Sequence, residues 1–110
     1  MVYMSDTRQQ LVSLIQRGEI RVSEHGHDEM ANDGISARDA VSGFSEGVAV
    51  EDYPKYHKGP CVLMLQRDSV GNPIHVVWGI PKGKVSPAVL VTAYRPDKER
   101  WAEDFMRRRQ

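Results

Sequence analysis

A chain of 110 residues, 40% of them apolar and 27% charged, has enough hydrophobic side chains for one packed core and too little length for two. Its single cysteine, Cys61, excludes an intrachain disulfide framework and a cysteine-built zinc site, and points to a reducing compartment. Fifteen basic residues balance fifteen acidic ones, which weighs against the basic excess usual for a free-standing nucleic-acid binder.

Met1 to Asp6 has neither the basic start nor the apolar stretch of a signal peptide, and no apolar run approaches the ~18 residues of a membrane span, so the sequence reads as cytoplasmic. Ser5 or Asp6 caps a first helix whose apolar stripe is Leu11, Leu14 and Ile15, with Val12 at its edge and Gly18 at its end. Ile20-Arg21-Val22 alternates, and reads as a short strand or only a link. Ser23 caps a second helix, from about Glu24 to Asp33, with His27, Met30 and Ala31 on one face and Gly34 as terminator. Ser36-Ala37-Arg38-Asp39 is a capping box opening a third helix. Ala37, Ala40, Val41 and Phe44 form its core-facing stripe, and Gly47 closes it.

The pattern then changes to strands. Val48 to Tyr53 is the first and stops at Pro54; a polar connection, Lys55 to Pro60, follows. Cys61 to Leu65 is continuously apolar, which predicts a central strand. Asp68 to Pro73 is dense in turn formers, and Ile74 to Ile80 is the third strand. Pro81 to Lys84 is another turn, leading to a fourth strand, Ala88 to Arg95. Such short connections imply antiparallel neighbours. After Pro96, Asp97 favours the start of a final helix, with Trp101 and Phe105 as its apolar pair and Arg107, Arg108 and Arg109 suiting its C-terminal dipole. The expected architecture is α+β: two or three helices, a four-stranded antiparallel meander, then a helix. Up to Asp52 acids outnumber bases by more than two to one, and from Tyr53 onward the ratio reverses, so the domain can present a basic face.

Alternation sorts the candidate chemistry. In the third strand Ile74, Val76, Trp78 and Ile80 point one way, and His75, Val77 and Gly79 the other. In the fourth, Thr92 and Tyr94 share a face, with Val89, Val91 and Arg95 opposite. His75 is a polar residue inside an apolar strand and needs either a hydrogen-bond partner or a task. His25, in the first turn of the second helix, is held neutral by the dipole and can act as a base, or is simply a surface histidine. Lys82, Lys84, Tyr94 and Arg95 can form a phosphate-binding rim, or an ordinary solvated edge, and Arg67 follows Cys61, Leu63 and Leu65 on its strand. His25, His27, His57 and Cys61 lack metal-ligand spacing, because i, i+2 residues on a helix face different ways, so neither a metal nor another cofactor is expected.

A histidine opening a helix, then Gly34-Ile35-Ser36, then Gly71-Asn-Pro-Ile-His75-Val-Val, then Thr92-Ala-Tyr94-Arg-Pro96 resembles a family of small bacterial proteins. That family is labelled a domain of unknown function, often sits beside YgiT-type zinc-finger antitoxins, and is related to RelE-like toxins such as MqsR and BrnT. The resemblance covers about residues 20 to 101. It implies one RelE-like toxin-type domain over residues 1–110, with residues 1–19 as a helical extension. It also implies the toxin half of a type II toxin–antitoxin pair: a metal-independent endoribonuclease cutting messenger RNA, on or off the ribosome, partnered by an antitoxin of zinc-finger or helix-turn-helix type. His25, His75 and Tyr94 are the matching positions for catalysis, with Arg67, Lys82, Lys84 and Arg95 for RNA binding. Relatives carry arginine where this chain has Glu29 and Asp33, which takes two cations from that helix. The other reading is a non-catalytic module whose acidic N-terminal half meets a basic antitoxin or DNA-binding partner.

Overall fold

Local signals form the helices where they are expected. In the computed structural model, which describes residues 6–109, α1 spans Asp6–Gln16 and buries Leu11 and Leu14; Ser5 lies outside the described residues. A short strand β1, Ile20–Val22, leads into α2, Glu24–Asn32, where the Ser23 side chain accepts from the Gly26 amide at 2.9 Å. The expected face of α2 is corrected: Gly26 and Met30 are buried, while His27 and Ala31 are exposed. In α3, Ala37–Ser42, the Ser36 hydroxyl accepts from the Asp39 amide at 3.0 Å. That helix ends at Gly43 rather than Gly47; Phe44, just beyond it, is nevertheless buried.

Four strands follow: β2 Val48–Tyr53, β3 Cys61–Arg67, β4 Pro73–Gly79 and β5 Ala88–Tyr94. The sheet has five strands, not four, in the order β1-β5-β4-β3-β2. Ile20 to Val22 pair in parallel with Ala88 to Leu90, and every other pairing is antiparallel. Three residues are too few for periodicity to show, and a parallel neighbour is reached only through the intervening helices. The apolar β3 is interior, between β2 and β4. All three helices cover one face, where Leu11, Met30 and Phe44 meet Val62, Met64, Ile74, Val76 and Trp78. Among the described residues no helix is long and apolar enough to cross a membrane.

Two irregularities re-aim side chains. Val77 pairs with Thr92 but Trp78 pairs with Leu90, so β5 carries Val91 as an extra residue. The bulge reverses the expected parity: Val89 shares the helix-free face with Thr92 and Tyr94, opposite Gly79, while Leu90 and Ala88 turn to the core. A similar shift between Ala49 and Glu51 puts Glu51 opposite Leu63 and Tyr53 opposite Cys61 on that same face.

The final helix is not formed. Asp97 makes one turn, its carbonyl accepting from the Arg100 and Trp101 amides at 3.0 Å, and the chain then doubles back. Ala102 donates to Arg107 at 2.8 Å and Arg109 to Arg100 at 2.7 Å, with Trp101 bridged to Arg108 and Phe105 in the left-handed region at φ 58°. A helix here would be about as short as the ~12–15 residues below which helices are marginal in water, with only Trp101 and Phe105 as its apolar pair. The hairpin instead presses Trp101 onto the sheet at 3% exposure. Residues 96–109 thus form a strap over part of the face that the helices leave bare.

Candidate functional site

His75 and Tyr94 are direct partners in the β4–β5 ladder and project from the same face. Their rings meet edge to face, with centroids 5.3 Å apart and an 81° interplanar angle. His75 Nδ1 lies 3.2 Å from Tyr94 Oη, and His75 Nε2 lies 2.9 Å from the Phe105 carbonyl oxygen. A carbonyl only accepts, so Nε2 carries the proton and Nδ1 accepts from the tyrosine hydroxyl. The imidazole is fully buried, capped by Trp101 at 4.4 Å between ring centroids. Burial pushes its pKa below the usual 6.5; the Phe105 carbonyl opposes that and the Arg108 charge reinforces it. Burial likewise raises the Tyr94 phenol above 10.0, so it keeps its proton.

Beside this pair stands a second cluster that sequence reasoning missed. Arg108 donates to Glu51 Oε1 at 3.0 Å and to Oε2 at 3.3 Å, and the Tyr53 hydroxyl donates to Glu51 Oε1 at 2.5 Å. The Arg108 hydrogen bond is the chief reason the Glu51 carboxyl sits below 4.5. The same guanidinium lies 4.6 Å from the Trp101 ring centroid, so one cation ties the strap to both β2 and the ring over His75. Glu51 and Tyr53 stand two apart in a strand, which marks them as neighbours on one face. Nothing local marks Arg108 as their partner, since it lies 57 residues away.

The other expected site residues are dispersed. His25 is exposed on α2, on the helix-covered side of the sheet, where its Nε2 lies 4.0 Å from Glu29 Oε1. Arg95 is occupied structurally: its amide donates to the Asp33 carboxylate at 2.8 Å, its Nε to the Asp33 carbonyl at 3.2 Å, and its guanidinium pairs with Asp68 at 3.0 Å. Asp33 thereby fastens the end of β5 to α2. Arg67 is exposed on the His75 face beyond Leu65, donating to the Gly71 carbonyl at 3.0 Å. Lys82 and Lys84 lie in the β4–β5 connection at the opposite end of the sheet, where the Lys82 amide donates to the Lys58 carbonyl at 3.1 Å. Only His75 and Tyr94 of the expected catalytic set come together.

A pH prediction follows from the buried imidazole. Its folded pKa lies below that of the unfolded chain, so between the two the unfolded state holds a proton that the folded state refuses. Stability is therefore expected to fall as pH drops below about 6.5, by no more than about 1.4 kcal/mol per pH unit. Below about 4.5, protonation of Glu51 adds to the loss, because its folded pKa is depressed. Urea titrations across this range check it: the slope above pH 5 disappears in His75→Gln, and an unchanged slope would assign it to another group.

No curated protein and no solved structure matches the chain. A family model described as a domain of unknown function, DUF4258, does match, over residues 22–95, and the chain belongs to that family.

Proposed function

We propose that this protein has a RelE-like fold and is the toxin half of a type II toxin–antitoxin pair, a metal-independent endoribonuclease that cuts messenger RNA in the cytoplasm. The carrying observation is the hydrogen-bonded His75–Tyr94 pair, at matched positions of two central strands on the helix-free face. In this chemistry the ribose 2′-hydroxyl attacks the adjacent phosphate, leaving a cyclic phosphate and a free 5′-hydroxyl. It requires a base, an acid and cationic stabilisation of the pentavalent charge. The His75 Nδ1 lone pair is the base once Tyr94 turns its proton to the phosphate, and the Tyr94 phenol is the donor. Arg67 is the nearby cation on that face that stays in place when the strap lifts; Lys82 and Lys84 serve the RNA farther along it.

The strap defines the working condition of this site. The Phe105 carbonyl occupies the hydrogen-bonding position of His75 Nε2, and Trp101 covers the ring. RNA reaches His75 only when residues 96–109 lift. Its ties to the sheet include the Phe105 carbonyl on His75, the Trp101 ring and the Arg108–Glu51 pair. An antitoxin or the ribosome is the partner that would set that equilibrium.

The second reading, a non-catalytic interaction module, is favoured by the complete burial of His75 and by the exposed acids Glu24 and Asp28 on α2, which suit a basic partner. Expression of the chain alone in bacteria separates the two. The nuclease is expected to arrest growth and fragment transcripts. His75→Gln and Tyr94→Phe, folded by circular dichroism, are each expected to lower cleavage by about 10²–10⁴-fold. Full cleavage by His75→Gln removes the mechanism; normal growth with a co-purifying basic protein establishes the module.

A further inference from the structure

We infer that the hollow at the Gly79 end of the helix-free face is a nucleobase subsite for single-stranded RNA, its rim cations holding the flanking phosphates. This rests on the reading of RNA as the substrate, and adds a second contact point that the strap does not cover.

The hollow measures about 280 Å³. That is at the lower edge of ligand pockets, which begin near ~300 Å³, and suits a single planar ring. Its floor is Gly79, which has no side chain, with Val89 and Val91 beside it. The bulge in β5 makes this floor: with regular alternation from Tyr94, Val89 would point into the core. Tyr56, 47% exposed, stands as an aromatic wall, and Arg21 and Lys58 form the rim.

Charge selects the occupant. The two loops beside the hollow, residues 54–60 and 81–87, carry Lys55, Lys58, Lys82 and Lys84 and no acidic residue. They are stitched together by the Lys82 amide on the Lys58 carbonyl at 3.1 Å and the Ile80 amide on the Pro60 carbonyl at 3.0 Å. In a chain of zero net charge this is a local cationic field rather than a general one. An apolar floor, an aromatic wall and a cationic rim are what single-stranded nucleic acid requires: stacking for the base and neutralisation for the phosphates. Gly79 lies four residues along β4 from His75, about 13 Å, so one strand of RNA lying along the sheet passes both places.

The test uses the full chain and a short fluorescein-labelled RNA with 2′-O-methyl riboses, which removes the attacking hydroxyl and separates binding from cleavage. Anisotropy is read at about 50 and 200 mM salt. The wild-type protein is expected to bind this RNA about tenfold more tightly than an abasic strand of the same length. Val91→Trp fills the hollow from its exposed side and is expected to erase that difference while keeping the salt dependence. Lys58→Glu is expected to weaken both strands about tenfold and to flatten the salt dependence. Equal binding of the two strands by the wild type, a base preference that survives in Val91→Trp, or no binding of either strand overturns the subsite. Base-dependent binding without cleavage of unmodified RNA keeps the subsite and removes the nuclease. Cleavage without a base preference does the reverse.

Discussion

Replacing Trp78 by alanine is expected to lower the free energy of unfolding by about 4–8 kcal/mol. Trp78 is fully buried on the helix side of β4, edge-on to Phe44 with centroids 5.8 Å apart. Its indole Nε1 donates to Gln66 Oε1 at 2.9 Å, and Gln66 Nε2 donates to the Ala40 carbonyl at 2.7 Å. The indole therefore fills the core centre and also satisfies an amide that is only 1% exposed. Truncation leaves a cavity, worth about 3–5 kcal/mol, and an orphaned buried oxygen, worth about 1–3 kcal/mol. Domains of this size hold roughly 5–15 kcal/mol in total, so the variant is expected to be largely unfolded or close to it. Urea titration followed by far-ultraviolet circular dichroism measures the loss. A loss below about 2 kcal/mol would mean that Phe44 and α3 collapse into the space.

Gly59→Ala is the second large effect, expected at about 3–5 kcal/mol. Gly59 has φ 124°, and a Cβ placed there would lie 2.1 Å from the Ile80 carbonyl oxygen and 2.7 Å from the Lys82 amide nitrogen. Both obstacles are backbone and cannot swing aside, so the two basic loops must part. The Lys82–Lys58 and Ile80–Pro60 hydrogen bonds then break, and the hollow loses its shape. Urea titration gives the magnitude, and faster exchange of the Ile80 and Lys82 amides locates it. In the same variant the preference for base-containing RNA is expected to vanish, because Gly59 itself lines the hollow. Stability within about 1 kcal/mol of wild type would show that the seam is not structurally required.

These two sites explain how the proposed nuclease is built. The Trp78 side of β4 holds the sheet to its helices, and the other side presents His75 and Gly79. The strap closes over His75 and leaves the Gly79 end bare, so in the proposed nuclease RNA capture and RNA chemistry are separable.

The sequence by itself determined what depends on residues close together in the chain. Ser23 and Ser36 cap α2 and α3 because each side chain meets an amide three residues on. Apolar alternation put His75 opposite Ile74, Val76 and Trp78, and the turn formers between strands made the meander antiparallel. The tertiary structure alone decided whatever joins distant residues. The parallel pairing of β1 with β5, the bulge that turns Val89 outward, and the fold of residues 96–109 into a hairpin leave no periodic trace. Arg95 reads as a strand-end cation until Asp33, 62 residues earlier, is found holding it, and Arg108 reads as a helix end until Glu51 claims it. Side-chain spacing along a strand or helix is set by backbone geometry, which every short segment carries within itself. The partner of a charged or aromatic group is set by which surfaces the whole chain brings into contact, and that exists only once the core has formed.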